Sequence, residues 1–114
     1  MFGLARSNLE PAREFLVKLQ SRRCFYCGAS LGLAGEVDHF VPWSKYPRDL
    51  AHNFVLAHCA CNRSKSDMLA GLVHVEHWRQ RNSEHGDTIA GELGERGFLV
   101  DPECSLVVAR WAYQ

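Results

Sequence analysis

The sequence has no excess of either charge: thirteen Lys and Arg stand against thirteen Asp and Glu. A chain with no net positive charge lacks the electrostatic signature of a dedicated nucleic-acid binder. No apolar run approaches the roughly 18 residues that a membrane-spanning helix needs, so no membrane partner is expected. The opening MFGLARSNLEPAREF carries charges where a secretory leader needs an apolar stretch, which makes a cytoplasmic location the expectation. There is no internal repeat and no low-complexity segment. An even set of cysteines is also lacking: Cys24, Cys27, Cys59 and Cys61 cluster and Cys104 stands apart, which argues against a disulfide framework.

What is present fits one soluble globular domain over residues 1–114, with 46% apolar and 23% charged residues. The charge is unevenly distributed. Residues 21–67 hold Arg22, Arg23, Lys45, Arg48, Arg63 and Lys65 against Glu36, Asp38, Asp49 and Asp67. Residues 68–114 hold four arginines against seven acids, so a mildly basic middle precedes an acidic tail.

Ser7, Glu10 and Pro11 form a start signal, and Phe15, Leu16 and Leu19 recur at helical spacing, which predicts an amphipathic helix over 8–20. CFYCGASLGLAG, residues 24–35, reads as a glycine-punctuated knuckle leading into a short strand at 36–40. Pro42 and Pro47 force a loop before a second short strand around Phe54, Val55 and Leu56. A helix is predicted from Asn62 through Leu69, with Gly71 ending or kinking it. A stripe of Leu72, Val75 and Trp78 extends to about Arg81, and Asp87 is read as the cap of a separate short helix. Asp101–Pro102–Glu103 signals a last helix. Trp43, Tyr46, Trp78 and Trp111 are read as packing residues, Tyr46 being the best candidate for an exception. His52 is read as exposed and incidental, and His74, His77 and His85 as scattered along a polar helical face.

Cys24-x-x-Cys27 is a two-ligand hook that calls for a second pair at similar spacing. His58-x-x-Cys61 supplies it, and three thiolates with one imidazole suit tetrahedral Zn²⁺. Cys59-x-Cys61 is an open alternative; His58 is preferred because it keeps the two hooks equally spaced. Four protein ligands leave no position for substrate, so this zinc would be structural, locking a unit too thin to hold itself.

CFYC, VDHFVPWS, HNFVLAH and CNRSKSD, in that order over residues 24–67, resemble the HNH nuclease family of the zinc-stapled ββα-metal type. They are similar to bacterial HNH proteins and to the HNH domains of CRISPR effector nucleases. The resemblance implies a zinc-stapled ββα-metal core over 24–70; with the N-terminal helix at 8–20 and the helical extension over 71–114 that periodicity and capping signals predict, the expected fold is α+β. The resemblance also implies a DNA endonuclease in which His39 is the general base and Asp38 helps hold the catalytic divalent ion. Asn53 would fix the loop between the strands. Asn62 stands where many members have a second histidine, making the chain an H-N-N variant. An oxygen-donor pair, Asp38 and Asn62, favours Mg²⁺ or Mn²⁺ over softer ions. Lys65 matches a family lysine that meets phosphate, and Arg63, Lys65, Lys45 and Arg48 are the expected DNA-backbone contacts. Asp38 and His39 are adjacent, and strand neighbours face opposite ways, so the strand must end or distort there for both to serve one phosphate. The competing readings are a zinc-stapled nucleic-acid-binding module without catalysis, and the nuclease module of a larger DNA-targeting effector or homodimer.

Overall fold

The computed structural model describes residues 8–42, 49–65 and 71–112. Helix α1 spans Glu10–Leu19 and strand β1 Glu36–His39; a 3₁₀ turn at Ala51–Asn53 leads into strand β2, Phe54–Ala57. Helices α2 (Cys59–Lys65), α3 (Leu72–Glu95) and α4 (Pro102–Ala112) complete an α+β architecture. No helix among the described residues is long and apolar enough to cross a membrane.

Pro11 in the first turn of α1 supplies a preset φ where no backbone donor is needed, and the helix buries Ala12, Phe15 and Leu16. Leu9 is its N-cap and makes no side-chain capping bond; the expected cap, Ser7, lies outside the described residues. Arg13 ties this helix to the loop before β1, donating from Nε to the Gly35 carbonyl (2.9 Å) and from Nη2 to that of Leu33 (3.0 Å).

β1 and β2 pair antiparallel with Val37 opposite Leu56, Asp38 opposite Val55 and His39 opposite Phe54. The two-stranded ribbon lies between two apolar clusters, which is why all four β2 residues are buried. One cluster joins Phe15 and Leu16 of α1, Phe54 and Leu56 of β2, and Ile89 and Leu93 of α3. The other joins Phe25 of the knuckle, Phe40, Val55, Trp78 of α3 and Ala109 of α4. Phe40 stacks on Trp78 with ring centroids 4.9 Å apart.

The outer edge of β2 is closed by groups that belong to no strand. Gln20 acts as a surrogate peptide: its Oε1 accepts from the Leu56 N–H (2.8 Å) and its Nε2 donates to the Leu56 carbonyl (2.9 Å). The Phe25 N–H reaches the same carbonyl, and Arg81 Nη1 reaches that of Phe54 at 2.7 Å.

Helix α3 corrects two expectations. Its 24 residues run without a break through Gly86 and Asp87, where a separate helix was expected to begin. Interior glycine costs about 1 kcal/mol of helix propensity, but Trp78, Arg81, Ile89 and Leu93 form one buried stripe on both sides of it. His52 is the second correction: it is 1% exposed, with Nε2 donating to the Gly86 carbonyl at 3.0 Å. Its own carbonyl accepts from Trp78 Nε1, Arg81 Nη2 and Asn82 Nδ2, which fastens the 3₁₀ turn to α3. Burial holds the imidazole below its usual range and the Arg81 charge adds to this, outweighing the Gly86 bond and Asp87. The same burial pushes the Arg81 guanidinium down to about 9, still charged at neutral pH. Helix α4 begins as its sequence signal predicts, with Asp101 Oδ1 accepting the Cys104 N–H at 2.9 Å.

Candidate metal centre and active site

The knuckle brings the two hooks together. Gly28, at φ +76°, makes the tight turn that returns its N–H to the Cys24 carbonyl, a backbone conformation that costs glycine little. The Sγ atoms of Cys24, Cys27 and Cys61 and a ring nitrogen of His58 all lie within 4.8 Å of one another. His58 Nδ1 is 3.3 Å from Cys27 Sγ and 3.9 Å from Cys61 Sγ. A tetrahedral zinc with these ligands separates them by about 3.5–3.8 Å, so the donor set fits that ion. His58 Nε2 donates to the Ser30 carbonyl at 3.1 Å, which fixes the tautomer with its lone pair on Nδ1, facing the sulfurs.

Burial alone would push the Cys24 thiol up. Backbone N–H groups of Cys27, His58 and Tyr26 directed at the sulfur more than offset this and hold it at about 7. Cys61 is pushed up to about 11 by burial and by the neighbouring Cys24 and Cys27 sulfurs. Three clustered thiols resist ionising together unless a cation neutralises them, and a zinc ion held here would do so. The alternative ligand Cys59 points elsewhere: its thiol donates to Glu36 Oε2 at 3.0 Å, and that bond pushes its own pKa up.

The cluster of Cys24, Cys27, His58 and Cys61 lies at the end of the ribbon whose strand β1 carries Asp38 and His39. Asp38 lies on one face of β1, where Tyr26 of the knuckle donates its hydroxyl to Oδ2 at 2.5 Å. His39 is the last residue of the strand; its Nε2 contacts Asp49 Oδ1 at 2.6 Å and its ring meets Phe54 edge-on. Both side chains are largely buried. Asn53 holds the chain just beyond them: its Oδ1 accepts the Val41 N–H at 2.8 Å and its Nδ2 donates to the Val41 carbonyl at 3.0 Å. Asn62, on α2, reaches back to β1 and donates Nδ2 to Glu36 Oε1 at 2.7 Å. Glu36 precedes Asp38 by two residues and so shares its face of the strand. Bonds from Cys59 and Asn62, helped by the Arg63 charge, hold the Glu36 carboxyl below its usual range against a smaller opposing effect of burial.

Residues 24–68 match the HNH endonuclease family. That match points to nuclease-type chemistry for the segment containing the Cys24, Cys27, His58 and Cys61 group together with Asp38, His39, Asn53 and Asn62. No curated protein matches the chain.

Of the residues expected at the HNH site, Arg63 is exposed on α2. The side chain of Lys65, with Lys45, Arg48, Trp43 and Tyr46, lies outside the described residues. His77, exposed on α3, stacks on Phe25 at 4.5 Å, and His74 meets Tyr26 edge-on, so these histidines pack against the knuckle. Among the described residues only the Cys24, Cys27, His58 and Cys61 group has metal-ligating spacing. Sequence reasoning missed Glu36, Tyr26 and Asp49. Glu36 was accessible through strand alternation from Asp38. Tyr26 and Asp49 carry no local signal, because only the tertiary fold brings them to Asp38 and His39.

Proposed function

We propose that the HNH segment is a metal-dependent endonuclease that hydrolyses DNA phosphodiester bonds. The observation that carries this reading is the reach of Asn62 from α2 to the Asp38 face of β1, inside a stretch matching a nuclease family. His39 is the general base. With Asp49 accepting from Nε2–H, the lone pair of the neutral ring lies on Nδ1, the atom that takes a proton from the attacking water. The Asp49 carboxylate then stabilises the imidazolium that forms. Tyr26 holds one oxygen of Asp38, and Asn53 holds the segment that follows His39. Carboxylate and amide oxygens are hard donors that suit Mg²⁺ or Mn²⁺. Asp38 and Asn62 would hold such an ion, which would supply positive charge to stabilise the phosphodiester as it is cleaved.

Arg63 and Lys65 on α2, with Lys45 and Arg48 between the strands, are suited to phosphate contacts that orient DNA without reading bases. Zero net charge favours a form of this reading in which a partner, either a larger effector or a second copy of the chain, helps hold the DNA. Thiolate ligation of zinc suits a reducing, cytoplasmic setting.

A plasmid-nicking assay tests the proposal. The wild-type chain should nick with Mg²⁺ or Mn²⁺ and stop in EDTA, while folded, zinc-loaded His39→Ala should be inactive. Undiminished nicking by His39→Ala, or in the presence of EDTA, would refute it. A folded wild type that binds DNA but never cuts, even when supplied with its partner, would favour the binding-module reading.

A further inference from the structure

The Asn62 amide has two chemically different ends, and only the carbonyl oxygen is a ligand for a hard divalent ion. Its terminal torsion is broad and roughly two-fold, so an untethered amide offers either end with similar ease. In this fold one end is committed. Nδ2 donates to Glu36 Oε1 at 2.7 Å, and an ionised carboxylate, having no proton to give, can face only the NH₂ end. The other Glu36 oxygen takes the Cys59 thiol at 3.0 Å. Glu36 therefore bridges β1 to the first two turns of α2, with both oxygens occupied by protein donors. It lies two residues from Asp38, on the same face of the ribbon.

We infer that Glu36 is a positioning residue of the active site: it holds the Nδ2 end of Asn62 and so presents Oδ1 to the divalent ion that Asp38 also binds. This rests on the nuclease reading above. It assigns Glu36 a role distinct from direct metal ligation and from simple stapling of the fold. Outer-shell partners of this kind typically change metal affinity by about 10- to 100-fold.

The test is Mn²⁺ binding to the zinc-loaded full chain, followed by calorimetry, with zinc content and thermal unfolding recorded for each variant. Glu36→Ala should weaken Mn²⁺ binding about 10-fold. Glu36→Gln keeps an acceptor oxygen for the Asn62 amide and should stay within about threefold of wild type. Asn62→Ala should weaken binding at least as much as Glu36→Ala, and adding Glu36→Ala to it should cost nothing more. Glu36→Gln as weak as Glu36→Ala would overturn the inference in favour of direct ligation, and so would additive losses in the double variant. Wild-type Mn²⁺ affinity in Glu36→Ala would overturn it while leaving the nuclease reading intact. A wild-type chain that binds no Mn²⁺ at all would remove that reading, and this inference with it. If Glu36→Ala cannot hold zinc, NMR of the wild type decides. Adding Mg²⁺ should leave the Asn62 side-chain protons hydrogen-bonded and slow to exchange; their release would mean that Glu36 has moved onto the ion.

Discussion

Replacing Asn53 with alanine isolates the contact that holds the segment following His39. The amide satisfies both backbone groups of Val41, at 2.8 and 3.0 Å, and Val41 and Asn53 are 1% and 4% exposed. Water cannot readily replace a partner at that depth. An unsatisfied buried backbone group costs about 1–3 kcal/mol, so two give about 2–6 kcal/mol, and local relaxation favours a value near 3 kcal/mol. An unfolding entropy of about 2.1 cal/mol/K per residue, over 114 residues, is roughly 0.24 kcal/mol/K. The expected fall in Tm is therefore about 12 °C. Urea unfolding followed by circular dichroism reads the free-energy loss and a thermal scan reads the fall in Tm, with zinc content measured in parallel. Asn53→Asp separates the two bonds: its carboxylate still accepts the Val41 N–H but faces the Val41 carbonyl with like charge, so it should not restore stability. If Asn53→Ala kept its zinc and unfolded within about 0.5 kcal/mol of wild type, the accounting of buried backbone groups at this turn would be wrong.

Purified protein should carry one zinc per chain. Cys61→Ser should lose it and much of the fold, whereas Cys59→Ser should retain it; a retained zinc in Cys61→Ser would refute the ligand set. Gln20→Leu strips the Leu56 N–H of its partner and should cost about 2 kcal/mol in urea unfolding, with an unchanged midpoint as the contrary result. Because burial depresses the His52 pKa, the unfolded chain binds a proton there more readily than the folded one. The stability that neutral His52 contributes is complete above the unfolded value of about 6.5 and is lost as pH falls from there towards the lower folded value. The Tm of wild type should therefore drop more steeply than that of His52→Gln between pH 7 and 5.5; parallel curves would contradict the assignment.

The metal hooks were readable from spacing alone, because ligand geometry restricts which residues can share one ion. Equal spacing of the hooks also favoured His58 over Cys59, and the structure agrees: His58 joins the cluster, while Glu36, 23 residues from Cys59, draws the Cys59 thiol away from it. Both strands and the start of α4 were legible, since alternation, proline and an aspartate cap act locally. The continuity of α3 was hidden because Gly86 and Asp87 resemble local breakers. What carries the helix past them is the 3₁₀ turn, whose His52 contacts Trp78, Arg81, Asn82 and Gly86. His52 was misjudged for the same reason: sequence flanks do not reveal that a whole helix covers it. The proposed site residues Asp38, His39, Asn53 and Asn62 form a pattern in the sequence, whereas Tyr26 and Asp49, which bond to Asp38 and His39, lie 12 and 10 residues from them and are joined to them only by the fold.

The surrogate bonding of Gln20, Phe25 and Arg81 along β2 also bears on self-association. Phe54–Ala57, FVLA, is an apolar segment of the kind that recruits a neighbouring molecule by strand addition when its rim is bare. Here the outward-facing carbonyls of Phe54 and Leu56 and the Leu56 amide are already taken by a glutamine side chain, a guanidinium and a turn. The β2 side of the ribbon is thereby sealed, and a molecule that lost this seal would offer the next copy a template for growth.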